Sequence, residues 1–115
     1  MRTIKFFKNK NGACPIEEFL DNLSDKQARK ITWVMQLIEK IEKIPELYLK
    51  KLSNTDDIWE IRIQAGFNIF RILGFFDSNN FIATNGFRKK SQKTPYNEIA
   101  LAEKRKHEYE VTKNE

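Results

Sequence analysis

The hydrophobic positions of this chain follow two different periods, and the switch between them sets out its elements. Ala28, Ile31, Val34, Met35, Ile38 and Ile41 recur at i, i+3 and i+4, with Lys26, Arg29, Lys30 and Glu39 elsewhere. That spacing predicts an amphipathic helix packed on a sheet, with Trp33 and Leu37 widening its stripe. Ser24 is placed to cap it, and Ile44-Pro45 ends it, because a residue before proline is pushed away from α geometry. An earlier, shorter helix opens at Pro15 and carries Ile16, Phe19, Leu20 and Leu23 at helical spacing. Before it, Thr3 to Lys8 reads as a strand ending in a turn at Asn9–Gly12.

The period changes to two at Ile58. Three runs rich in Ile, Phe and Trp, at 58–63, 67–76 and 80–94, are separated by Gln64-Ala65-Gly66 and Asp77-Ser78-Asn79-Asn80. Short β-prone runs joined by Gly, Asn, Asp and Ser predict a three-stranded antiparallel meander. Alternation puts Trp59, Ile61 and Ile63 on one face, against the two helices, and Glu60 and Arg62 on the open one. In the second strand Phe70, Ile72 and Phe76 share a face, and Ile69, Arg71 and Leu73 share the other; apolar residues on both sides predict a central strand. Residues 46–53, with Leu47, Leu49 and Leu52 among lysines, read as an irregular or short helical connector. After Pro95 a last helix follows Ile99 and Ala102, capped by Thr94 or Asn97, and residues 111–115 are expected to fray. The fold expected is α+β: a small antiparallel meander sheet, two N-terminal helices on one face and a C-terminal helix, forming one domain over residues 1–115.

Composition narrows the chemistry. With 40% hydrophobic residues and nine Phe the chain has material for a real core, and a net charge of +5 favours nucleic acid or acidic protein partners. A single cysteine, Cys14, excludes an internal disulfide, and one His excludes a Cys/His metal cluster, so no metal or cofactor is expected. No run approaches the roughly 20 apolar residues of a membrane span, and the N-terminus lacks a signal-peptide core; the expected location is cytoplasmic.

The charged residues of the meander and the segment after it are mostly cationic. Arg62 and Arg71 lie within apolar strands, where an unpartnered charge is costly, and the third strand runs into Arg88, Lys89, Lys90 and Lys93. Gathered on one surface, these groups suit a polyanion, while Phe87 and Tyr96 offer rings for stacking on unpaired bases. No phosphate-binding glycine loop or Ser/His/Asp arrangement is present, and His107 reads as a surface histidine.

Three marks in order resemble the RelE/HigB-like toxins of type II toxin–antitoxin systems, in particular their phage-derived branch. They are Ile58-Trp59-Glu60-Ile61-Arg62, Phe70-Arg71-Ile72-Leu73, and the segment Gly86-Phe87-Arg88-Lys89-Lys90-Ser91-Gln92-Lys93-Thr94-Pro95. The resemblance implies a RelE/ParE-like fold, a cognate antitoxin, and a ribosome-dependent mRNA endoribonuclease without cofactor. It implies phosphate binding and transition-state stabilisation by Arg62 and Arg71, with Lys89 and Lys90 continuing the site. Glu60 would take the 2′-OH proton or orient Arg62, and Lys89 or Lys90 would serve as base if neighbouring cations lower its pKa. Arg88, Lys93, Phe87 and Tyr96 would complete the RNA contacts. Two other functions share the pattern: a ParE-like toxin that binds gyrase, and a non-catalytic RNA-binding module.

Overall fold

The computed structural model describes residues 2–114. Strand β1 (Thr3–Phe6) is followed by helices α1 (Pro15–Asp21) and α2 (Asp25–Lys40), then β2 (Leu49–Lys51), β3 (Trp59–Ala65), β4 (Asn68–Asp77), β5 (Asn80–Arg88) and α3 (Tyr96–Lys113). All five strands form one sheet in the order β1-β5-β4-β3-β2. The expected meander is present as β3-β4-β5, paired antiparallel throughout.

The sheet as a whole is mixed, which corrects the purely antiparallel expectation. β1 pairs parallel with β5, Thr3 opposite Asn80 and Phe6 opposite Ala83, a contact between distant parts of the chain that no local pattern announces. A second correction concerns residues 46–53. Leu49, Lys50 and Lys51 form an edge strand on β3, with Leu49 buried and both lysines exposed. One inward leucine flanked by lysines is too short an alternation to read as a strand, so pairing with the free edge of β3 decides it.

Local chemistry explains the helix starts. Pro15 occupies the first turn of α1, where its missing N–H leaves nothing unpaired. Ser24 closes a capping box on α2: Gln27 N–H donates to Ser24 Oγ, and Ser24 N–H to Gln27 Oε1, each at 3.2 Å. At α3 neither expected cap operates, because Pro95 takes the capping position and the Thr94 hydroxyl is bonded elsewhere. Residues 111–113, expected to fray, belong to α3. Lys113 Nζ holds Asp77 at 2.7 Å and the Tyr109 hydroxyl donates to the same carboxylate at 2.6 Å, while Glu115 lies outside the described residues.

Each face of the sheet has its own core. Ile31, Val34, Met35 and Ile38 of α2 and Ile16 of α1 pack on Ile61, Ile63, Phe70 and Ile72. On the opposite face Ala102 of α3 packs with Leu73, Phe75 and Ile82. α3 therefore covers only the C-terminal half of β4 on that face, and the half carrying Arg71 and Ile69 is left for another use.

The β4–β5 ladder is irregular at Leu73/Gly74, where Leu73 faces Asn85 but Gly74 faces Ala83, leaving Thr84 as the extra residue. Arg105 of α3 donates to the Thr84 carbonyl at 2.8 Å and so satisfies the bulge. A Cβ at Gly74 would lie 2.3 Å from the Ile82 carbonyl oxygen and 2.7 Å from the Phe81 ring. Gly74→Ala is expected to cost about 3 kcal/mol through this overlap, read as a lower urea midpoint with an unchanged slope. An unshifted midpoint would show that the bulge can absorb a methyl group.

Candidate active site

The site grows from the register of β3 and β4. Arg62 lies directly opposite Arg71, and Glu60 opposite Leu73, so all three polar side chains leave the sheet on the face that α3 half covers. Two cations directly opposite on one face repel each other. Glu60, two residues before Arg62, offsets that repulsion: its Oε1 lies 3.4 Å from both Arg62 Nε and Arg71 Nε. The other carboxylate oxygen, Oε2, accepts the Thr94 hydroxyl. Glu60 is only 2% exposed, so its place is the floor of the site rather than the open surface expected for it. The cause is the segment after β5: Lys89 N–H donates to the Ile69 carbonyl at 2.7 Å, continuing the β4–β5 ladder, and the chain then brings Thr94 over Glu60.

Arg71 is 8% exposed, with one guanidinium nitrogen, Nη1, donating to its neighbour's carbonyl, Phe70 O, at 3.0 Å. Burial pushes its pKa below the usual arginine value, Glu60 pulls it up and Arg62 pushes it down; a guanidinium stays charged through such a shift. The Arg62 side chain is 29% exposed. Neither Nε makes a hydrogen bond to any described protein atom, so both guanidiniums are held by charge while keeping donors in hand.

Lys89 stands over this floor. Burial, then Arg71, Arg62 and Lys50, push its pKa below the usual lysine value, with only Glu60 acting to raise it. Arg62, Arg71, Lys89, Lys90, Ser91 and Ile69 line one cleft of about 470 Å³. The structure thus brings together five of the residues singled out from the sequence: Arg62, Arg71, Lys89 and Lys90 around the cleft and Glu60 beneath it.

The remaining four lie elsewhere. Arg88 pairs with Phe70 and sits over its ring, 5.5 Å from the centroid, on the α1 and α2 face. Phe87 is half-buried against the core under α3 and does not line the cleft. Lys93 is exposed and does not line the cleft, nor does Tyr96, which is 82% exposed in the first turn of α3. His107 is exposed and borders a separate cavity with Asp77 and Tyr109.

Sequence reasoning missed three contributors. Thr94, expected as a helix cap and as part of the basic motif, instead ties that segment to Glu60. Ser91 lines the cleft, and its hydroxyl donates to the Lys93 carbonyl at 3.1 Å. Lys50, opposite Glu60 on β2, acts on Lys89 through charge, and was invisible while its strand went unread. The alternation of β5 would have separated Arg88 from Lys89, since adjacent residues in a strand point to opposite faces.

Among the described residues, no group of three or more His, Cys, Asp or Glu side chains is placed to hold a metal ion, and no helix is long and apolar enough to cross a membrane. Chemically, the cleft offers fixed positive charge, unpaired guanidinium donors and a lysine shifted towards its neutral form. Residues 18–107 match the family described as Phage derived protein Gp49-like (DUF891). Comparison with curated proteins finds no match.

Proposed function

Because the chain belongs to the phage-derived Gp49-like family, we propose that it is the toxin of a type II toxin–antitoxin pair. In this reading it is RelE/HigB-like and cleaves messenger RNA on the ribosome. The observation that carries the proposal is the pair of guanidiniums, Arg62 and Arg71, held side by side by the buried Glu60 beneath Lys89. A phosphodiester fits that arrangement, since a guanidinium presents planar, permanently charged donors to phosphate oxygens.

The reaction is a transesterification. The ribose 2′-oxygen attacks the adjacent phosphorus, the P–O5′ bond breaks, and the products are a 2′,3′-cyclic phosphate and a free 5′-hydroxyl. Arg62 and Arg71 stabilise the charge that builds on the non-bridging oxygens, usually the largest catalytic contribution. Neutral Lys89 accepts the 2′-OH proton, and the ammonium of Lys90, which lines the same cleft, donates a proton to the departing 5′-oxygen. Glu60 orients the guanidiniums rather than acting as base, because Oε1 faces both of them and Oε2 is taken by Thr94.

The role of Lys89 fixes the sign of the pH dependence. Its pKa is lowered, first by burial and then by Arg71, so the neutral fraction grows as pH rises and reaches one half below the ordinary lysine value of 10.5. Single-turnover cleavage on programmed ribosomes should rise along that limb in the wild type and be flat and slow for Lys89→Gln. A limb that persists in Lys89→Gln would assign the base elsewhere.

The deciding experiment is to map message ends after brief expression. New 5′-hydroxyl ends within translated messages, with intact DNA, support the proposal; broken DNA with intact messages would replace it with gyrase binding. The cognate antitoxin is proposed to cover the cationic cleft with acidic side chains, giving salt-sensitive association.

A further inference from the structure

A groove continues from the cleft towards α2. Trp33, Leu47, Tyr48 and Ile69 wall a space of about 470 Å³ that ends at Arg62 and Arg71. Seven large hydrophobic residues are exposed among those described, and four of them wall this one groove, so their exposure is concentrated rather than scattered. Trp33 is 54% exposed, and neither it nor Tyr48 is in ring–ring contact with another aromatic among the described residues. The backbone of the walls is fixed by secondary structure: Trp33 stands on α2, and the Tyr48 carbonyl accepts the Arg62 N–H at 2.8 Å. Lys30 Nζ sits over one face of the Trp33 ring, 5.0 Å from its centre, and leaves the other face for a ligand.

We infer that this groove binds a nucleobase of single-stranded RNA, stacked on Trp33 beside Tyr48, next to the phosphate held by Arg62 and Arg71. The inference rests on the reading of the cleft as a phosphate site and adds to it a base platform. Aromatic walls beside the cationic pair match the alternation of base and phosphate along a strand. No acidic residue lines the groove to repel that strand. A protein partner would also value the apolar walls, but the shared Arg62 and Arg71 favour an anionic occupant. Trp33, exposed on a helix, contributes a face that stacks on any base, so the platform strengthens binding more than it selects sequence.

The test uses a short 2′-O-methyl RNA strand, which cannot be cleaved, and an abasic strand of the same length, each followed by anisotropy of an attached dye. Wild type should bind the base-bearing strand about 10-fold more tightly than the abasic one. Trp33→Ala should lose about that factor on the base-bearing strand and nothing on the abasic strand, and Trp33→Phe should restore most of it. In a Trp59→Phe background the base-bearing strand should quench Trp33 fluorescence, and the abasic strand should not. Tyr48→Ala gives a second variant, with thermal melts confirming that each protein is folded. If Trp33→Ala binds the base-bearing strand like wild type while Arg71→Ala binds both strands weakly, the base platform is overturned and the groove passes to a protein partner, with the phosphate site intact. If Arg71→Ala also binds like wild type, the phosphate reading itself fails.

Discussion

Replacing Arg71 with alanine is expected to lower message cleavage by about 10²–10³-fold and to relieve growth arrest, while the protein stays folded. The catalytic loss follows from removing a fixed donor beside the phosphate, at the scale measured for single donors in oxyanion sites. Arg71 is the better choice over Arg62 because it is the more buried of the two, so its charge is less screened by water. Breaking a buried ion pair ordinarily costs roughly 3–5 kcal/mol by stranding the partner. Here the stability loss should be smaller, because Glu60 keeps Arg62 and Thr94, and the repulsion between facing guanidiniums is relieved. Arg71→Lys separates charge from geometry: an ammonium keeps the charge but loses the planar fork, so an intermediate rate is expected. Primer extension on cellular messages, paired with thermal melts of the purified variants, measures both quantities. Full growth arrest by folded Arg71→Ala would remove the guanidinium pair from the mechanism.

What the sequence made legible was local. The meander could be read because its turns are written in Gly, Asn, Asp and Ser, and Gly66 and Ser78 do adopt positive φ there. The α2 stripe and its Ser24 cap are likewise short-range signals. The parallel β1–β5 pairing was not legible, because it joins distant residues such as Thr3 and Asn80. The site was half readable for the same reason. Placing Arg62 beside Arg71 needed only a hairpin register, whereas burying Glu60 required the segment after β5 to return over the sheet and Thr94 to land on the carboxylate. The basic run from Arg88 to Lys93 looked like one surface because its cations are adjacent in sequence. Strand alternation and the following loop divide it, sending Arg88 to Phe70 and Lys89 and Lys90 to the cleft.

Glu60 is where stability and chemistry meet, and its substitution should weaken both folding and cleavage. Glu60→Ala removes the only carboxylate in ion-pair contact with Arg62 or Arg71 among the described residues, leaving two like charges opposite each other with little solvent. The expected cost is about 3 kcal/mol, the lower end for a broken buried pair because Arg62 keeps some contact with water. Glu60→Gln keeps the shape and an acceptor for Thr94 but loses the charge, so it should fall between wild type and alanine. A purely structural role would end there. A positioning role makes a further demand, because Glu60 is the one group acting to raise the Lys89 pKa. Without it that pKa falls further, so the alkaline limb of cleavage in folded Glu60→Gln should move to lower pH while its plateau drops through misplaced guanidiniums. A catalytic base at Glu60 predicts otherwise: a loss of about 10²–10⁴-fold in Glu60→Gln, and a wild-type profile with no alkaline limb that Lys89→Gln removes. Measuring the full pH–rate profile of Glu60→Gln beside its urea midpoint separates these outcomes, and an unmoved limb with an unchanged midpoint would dismiss the positioning role altogether.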